Sequence, residues 1–277
     1  MPELPEVETI VRGLKNTIIP CKIKDIIKSD YTLRINYPSD FVKSLLGVEI
    51  TGVNRISKYI VFATNTHNNI VIHLGMSGRL LLTDSSPTMQ QNKHDHVVFI
   101  LSNGKSLTYN DPRRFGLITL IQSDKINMHP LFKDLGVDPF SKEFTPKYLK
   151  SKAENKNTAA KSFLMNAKII TGVGNIYANE TLHSAKISPF KKVRDLDDLE
   201  IKNIILSIQK VLEKAIEMGG SSLRDYVAPN GIFGNFQNNF QVYNRANKPC
   251  FSCGGHIVRK LFQQRATFYC SKCQSDT

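Results

Sequence analysis

Two places in the chain carry residue types that could do covalent or metal chemistry, and they lie at opposite ends. At the start, Met1-Pro2-Glu3 puts a proline directly after the initiator methionine. Removal of Met1 would leave Pro2 with a free secondary amine. An α-amino group has a pKa near ~8, against ~10.4 for lysine, so more of it is unprotonated at neutral pH. Such an amine adding to an aldehyde-type carbon gives a permanently cationic iminium, an electron sink that promotes elimination at the neighbouring carbon. Glu3 and Glu6 follow closely enough to move protons. Taken alone, Met-Pro-Glu is equally an ordinary way for a chain to begin.

At the other end, Cys250-x2-Cys253 and Cys270-x2-Cys273 form two short knuckles with sixteen residues between them. Two such knuckles bring four sulfurs to a tetrahedron around one zinc ion. Four thiolates leave no coordination position for water, so the expected ion is structural. The alternative of two disulfides needs an oxidising compartment, and no export signal is present. Cys21 stands alone and reads as a small buried residue.

The elements that must position these groups follow from periodicity. In LPEVETIVRGLKNTI, Val7, Ile10, Val11 and Leu14 recur at helical spacing behind two prolines, which predicts a helix starting almost at the N-terminus. From about residue 21 to 121 the pattern turns to short strands rich in Val, Ile, Tyr and Phe, with Asn103-Gly104 marking a hairpin. Strands without intervening helices imply an antiparallel sandwich or barrel. A proline-punctuated stretch, 126–150, reads as a linker or hinge. Helical sequence follows, with Ile201, Ile204, Ile205, Ile208, Val211, Leu212, Ala215 and Ile216 on one face and Gly219-Gly220 as its stop. The predicted class is α+β. An N-terminal β-sandwich domain with a leading helix spans 1–125, a helical domain 151–235, and a zinc hairpin 236–277.

A net charge of +13 over 277 residues favours a polyanionic partner, nucleic acid first. No apolar run is long enough for a bilayer, and the acidic N-terminus is neither a signal nor a transit peptide, so a soluble intracellular protein is expected.

PELPEVE at the start, HLGMSGR at 73–79, KHDH at 93–96, DPRRFG at 111–116, GVGNIYANE at 172–180, GGSSLRDYV at 219–227 and QRATFYCSKCQ at 264–274 occur in one order. This set closely resembles the bacterial formamidopyrimidine-DNA glycosylases, within the wider family that includes endonuclease VIII. The resemblance spans residues 2 to 274 and implies a bifunctional glycosylase and abasic-site lyase acting on damaged double-stranded DNA as a monomer in the bacterial cytosol. DNA would lie in a basic cleft between the two domains.

The resemblance also implies roles for particular residues. Pro2 matches the nucleophile that attacks C1′, and Glu3 the general acid. Lys58 matches a phosphate-contacting lysine implicated in β-elimination, although a strand lysine ordinarily just reaches solvent. Met76, Arg113 and Phe115 match the residues that fill the hole left by an everted base. Taken singly, Met76 and Phe115 would pass for core residues. Asn175, at a glycine-rich helix start, and Arg265, at the tip of the zinc hairpin, match phosphate contacts, with Arg265 assigned to δ-elimination. His94 matches a DNA-contacting histidine. The GGSSLRDYVAPNGIFG loop resembles one that closes over oxidised purines, so 8-oxoguanine and formamidopyrimidines are the expected lesions. Asn157 departs from the family, where many members have a DNA-contacting lysine, and Lys156 or Lys161 could compensate. Two other readings stand beside this one: an endonuclease VIII-like enzyme for oxidised pyrimidines, and a zinc-ribbon damage binder without catalysis.

Overall fold

The computed structural model describes residues 1–84, 92–221 and 234–275. The chain divides into two compact units. One comprises Met1–Lys133 with Met218–Asn235, the other Asp134–Glu217 with Phe236–Thr277.

The first unit is a bent sheet with a helix on it. Helix α1 (Leu4–Ile18) starts at Pro5 in its first turn, where the missing N–H of proline costs nothing. Its apolar positions, Val7, Ile10, Val11, Leu14 and Ile18, are fully buried at the spacing of one helix face. That face packs on β2 (Glu49–Ile56) and β3 (Tyr59–Thr64). The remaining strands are β1 (Cys21–Lys28), β4 (Asn68–His73), β5 (Arg79–Thr83), β6 (Asp95–Leu101), β7 (Ser106–Asn110) and β8 (Leu117–Gln122). All are antiparallel and run in the order β5-β7-β6-β1-β2-β3-β4-β8.

Strand β1 makes the bend. Its first residues, Cys21 and Lys22, pair with β2, and from Ile23 onward it pairs with β6, with a register shift between Ile23 and Asp25. A bulge at that point turns one sheet into two facing halves. The core between them is continuous, running from Ile23, Val53 and Phe62 to Val97, Phe99 and Tyr109. Each buried aliphatic side chain there contributes roughly 1.5–3 kcal/mol. This is the expected sandwich with a leading helix.

The second unit is helical: α2 (Pro146–Ala153), α3 (Ala160–Leu164), α4 (Asn175–Ser184) and α5 (Asp198–Glu217). Helix α4 is buried around nearly its whole circumference, which makes it the central helix of the unit, packed by α5 and by the hairpin strand β10 (Arg265–Cys270). Strand β9 (Ile257–Phe262) completes that hairpin.

Two boundaries differ from the sequence expectation. Within 126–150, Pro146 opens α2 behind the capping side chain of Thr145, and Val137 bridges to Ile170, so the prolines there punctuate structure instead of marking a free linker. Residues 218–235 group with the N-terminal unit, because buried Glu6 of α1 holds Ser221. The closing-loop motif at 219–234 lies outside the described residues from 222 to 233, as does part of the polar loop at 85–91. Among the described residues no helix is long and apolar enough to cross a membrane.

Candidate functional site

Pro2 and Glu3 sit immediately ahead of α1 and both are buried. Glu3 is the N-cap residue, and its backbone N–H donates to Glu6 Oε2 at 2.8 Å within a capping box. The other oxygen of Glu6 accepts from the backbone N–H of Ser221 at 2.8 Å and from its hydroxyl at 2.9 Å. Glu6 was expected as a proton carrier. Its two oxygens hold the N-terminus and residue 221 in place, which makes it a strut. Gly220 follows from this contact, since a Cβ there would stand 3.1 Å from Glu6 Oε1 at a φ of +77°. Glu6→Gln would turn a donor against one of these donors. We expect it to cost about 1–3 kcal/mol of stability, read as a lowered Tm; an unchanged Tm would remove the strut role.

Lys58 lies not in a strand but in the two-residue turn joining β2 to β3, beside Ser57 at φ 56°. Arg55 clamps this turn to α1. Its Nε donates to Glu8 Oε2 at 2.8 Å and its guanidinium also reaches the Ser57 carbonyl. Burial raises the Glu8 pKa, but Arg55 and Arg12 outweigh it and hold the carboxyl below its ordinary value. His73, at the end of β4, packs against Tyr59 with the rings tilted by 52° and accepts the Gly75 N–H on Nδ1, so its proton sits on Nε2. Burial, with the charges of Arg34 and Lys58 adding to it, lowers its pKa to about 4. A neutral imidazole thus stands within the field of two cations. His73 opens one of the quoted motifs, yet only burial reveals this state; Arg55 carries no signal in the sequence at all.

Met76 and the pair Arg113 and Phe115 are brought together by strand pairing. Strands β4 and β8 pair His73 with Leu117, and β5 and β7 pair Arg79 with Asn110. The turns 74–78 and 111–116 are bracketed by those two pairs and run side by side. Met76 is 38% exposed and Phe115 47%, which removes both from the core. The Arg113 guanidinium lies over the Phe115 ring at 4.7 Å. Nearby, Lys93, His94, Arg114 and Tyr31 line a depression of about 250 Å³, with Arg114 over the Tyr31 ring.

In the second unit, Gly174 caps α4 and Asn175 is its first residue. The Asn175 Nδ2 donates to the carbonyl of Ala266 at 3.2 Å, while its buried Oδ1 has no hydrogen-bond partner among the described residues. Arg265 is exposed and adjoins Ala266, directly after Gln263 and Gln264, which both have positive φ and turn the hairpin. Asn175 and the hairpin tip are thereby joined through one carbonyl. Lys161, expected as a substitute for the missing cation at 157, is only 2% exposed, and its Nζ donates to Ala266 O at 2.9 Å and Thr267 Oγ1 at 2.8 Å. It ties α3 to the hairpin and is spent there. Lys156 and Asn157 are exposed.

The four cysteine sulfurs of residues 250, 253, 270 and 273 all lie within 4.8 Å of one another. Cys250 and Cys273 are 3.9 Å apart, and Cys253 and Cys270 3.4 Å. Tetrahedral Zn–S bonds of about 2.3 Å place sulfurs about 3.8 Å apart, whereas a disulfide needs about 2.05 Å. The cluster therefore fits a single metal ion. Burial opposes ionisation of Cys250, but hydrogen bonds from His183 and two backbone amides prevail and bring its pKa to about 7; backbone and thiol hydrogen bonds bring Cys253 to about 7 as well. Burial, with the neighbouring thiols adding to it, holds Cys270 above its ordinary value and Cys273 up at about 12, so a cation entering the cluster would displace protons chiefly from those two.

Comparison with known proteins agrees along the whole chain. Residues 1–118 match the family model of the formamidopyrimidine-DNA glycosylase N-terminal domain, and residues 135–227 that of its H2TH domain. A formamidopyrimidine-DNA glycosylase of Rickettsia bellii is 41% identical over 274 residues, covering 99% of each chain. Among solved structures, a Lactococcus lactis Fpg variant in complex with Fapy-dG-containing DNA superposes with a TM-score of 0.91 at 34% identity, over 99% of this chain and 100% of that one. The wild-type Lactococcus lactis Fpg complexed with DNA containing an oxidised pyrimidine gives 0.90 at 33%, with the same coverage.

Proposed function

Since the chain belongs to the formamidopyrimidine-DNA glycosylase family, we propose that it excises oxidised purines from duplex DNA and nicks the strand through a covalent bond to Pro2. The observation that carries this reading is the placement of Pro2 and Glu3 at the head of a helix whose buried face and Glu6 strut fix them in space. Chain termini are usually frayed, and a nucleophile cannot be.

The steps follow from the chemistry of these groups. With Met1 removed, the Pro2 nitrogen attacks C1′ of the damaged nucleotide. The glycosidic C–N bond breaks and the base leaves with its electron pair and a proton. Glu3 protonates the ring oxygen, the sugar opens, and the nitrogen lone pair completes an iminium at C1′. That cation acidifies C2′; loss of its proton expels the 3′ phosphate in β-elimination, and δ-elimination then expels the 5′ phosphate. Hydrolysis of the iminium returns the amine. Lys58 and Arg265 supply positive charge to the departing phosphates, with Asn175 and His94 as further contacts to the backbone. Met76, Arg113 and Phe115 occupy the space vacated by the base, two of them apolar and one able to hydrogen-bond the orphaned partner.

We assign the ion held by Cys250, Cys253, Cys270 and Cys273 as zinc, binding the hairpin that presents Arg265. As a DNA-repair enzyme the protein works in the bacterial cytosol, where its substrate is.

Lesion preference is tested by parallel single-turnover assays on duplexes holding 8-oxoguanine or thymine glycol. Faster release of 8-oxoguanine, by on the order of tenfold or more, is the expected result; the reverse order would favour the endonuclease VIII-like reading. Binding without release of either would favour the non-catalytic one.

A further inference from the structure

We infer that Asp111 is a positioning residue for base eversion, because its one buried carboxylate locks the Met76 turn and the Arg113–Phe115 turn into a single rigid wedge. This deepens the proposed function and rests on its assignment of these three side chains to the vacated space.

Asp111 is fully buried at the start of the DPRRFG turn. Its Oδ1 accepts from the hydroxyl of Ser77 at 2.6 Å and from the backbone N–H of Arg113 at 3.2 Å. Its Oδ2 accepts from the backbone N–H of Gly116 at 2.9 Å and from the Tyr109 hydroxyl at 3.3 Å. Ser77 adjoins Met76, and Gly116 adjoins Phe115. Each of the three hole-filling residues is therefore either bonded to this carboxylate through its own amide or is next to a residue that is. The Ser77 hydroxyl closes the ring by accepting from the same Arg113 N–H at 3.2 Å.

The backbone of Asp111 extends the lock to a third segment. Its N–H donates to the carbonyl of His94 at 3.0 Å, and its carbonyl accepts from His96 Nε2 at 2.9 Å. Sterics agree. At Gly75 (φ +60°) a Cβ would lie 2.5 Å from the Phe115 carbonyl carbon, and at Gly116 it would lie 1.8 Å from the Tyr109 hydroxyl. The two turns touch backbone to backbone, with no side chain to cushion a slip.

A carboxylate is required here because both oxygens must accept. Each faces a backbone N–H, so an asparagine in either orientation turns an NH2 donor against one of them and pushes one turn away from the other. The exposed side chains of Met76, Arg113 and Phe115 remain, but their spacing is lost. A wedge misplaced by about 1 Å slows base eversion much more than it slows reaction at a site already lacking its base.

The test compares Asp111→Asn, Ser77→Ala and Met76→Ala with the parent protein in two single-turnover assays, base release from an 8-oxoguanine duplex and cleavage at a preformed abasic site. A 2-aminopurine opposite the lesion reports unstacking. Ser77→Ala removes only the link to the Met76 turn and so serves where Asp111→Asn folds poorly. Base release is expected to fall on the order of 10–100-fold in Asp111→Asn and Met76→Ala, and less in Ser77→Ala, with a smaller 2-aminopurine signal; in Asp111→Asn and Ser77→Ala abasic-site cleavage should change less than about threefold. Equal loss in both assays, or unchanged base release in Asp111→Asn and Ser77→Ala while Met76→Ala is slow, would overturn the inference. Unchanged base release in Met76→Ala itself would instead remove the wedge assignment on which it rests.

Discussion

A chain carrying one extra residue ahead of Pro2 is expected to form no borohydride-trapped adduct with damaged duplex, while still binding it. The added residue turns the Pro2 nitrogen into an amide, whose lone pair is delocalised and neither basic nor nucleophilic at neutral pH. Nothing else in the site need change: Glu3 still caps α1 and Glu6 still holds Ser221. Binding, measured by gel shift on a duplex with an abasic analogue, should stay within about tenfold, because the phosphate contacts that supply most of it lie on other residues. Pro2→Gly probes the same atom differently. Its primary amine forms an imine that can shed its proton and lose its charge, whereas the proline iminium cannot. Strand cleavage by that variant is expected to drop by on the order of 10³-fold. An extended chain that traps as efficiently as the parent would mean that a lysine carries the bond.

The second large effect belongs to the cysteine cluster. Among the described residues the buried core around the hairpin is Val242, Cys250, Ile257, Phe268 and Cys270, with Tyr243, Ala246, Ala266 and Cys273 packed against it, a small core for a segment of this length. Packing on α4 and the Lys161 tie support this segment, and a metal ion held by four thiolates would add to them; such binding is worth about 10–16 kcal/mol in isolated zinc domains. Cys250→Ser removes one thiol from the cluster and places a hydroxyl in that core. It is expected to release the metal, measured by atomic absorption, and to lower affinity for damaged duplex by on the order of 10²-fold as Arg265 loses its support. Cleavage at an abasic site, measured at saturating DNA, should fall much less, because Pro2, Glu3 and Lys58 belong to the other unit. Equal loss of binding and chemistry would show that the cluster supports the whole chain.

How much of this was readable beforehand depended on whether a feature is local. Helix α1, the Asn103-Gly104 hairpin and the two cysteine knuckles are set by neighbours in sequence, and periodicity or spacing alone reveals them. The residues that hold the site together are a different matter. Glu6 looked like a second proton carrier because it stands near Pro2, yet its partner is Ser221, 215 positions away. Lys161 looked like a spare cation for DNA, yet it is buried against Ala266 and Thr267 on a strand more than a hundred residues on. Charge and proximity in sequence describe what a side chain can do, and only tertiary contacts decide what it is already doing. Met76 and Phe115 show the converse. Their apolar character suggests burial, and it was their place in the ordered motifs that pointed to the surface, where the structure has them.

The central claim is that the amine of Pro2 becomes bonded to C1′ of the damaged nucleotide. The most direct measurement is borohydride reduction of the protein mixed with an 8-oxoguanine duplex, followed by proteolysis and mass spectrometry of the cross-linked peptide. The expected adduct lies on a peptide that begins at Pro2 and lacks Met1. An adduct on any lysine, or fully active protein with Met1 still attached, would contradict the account.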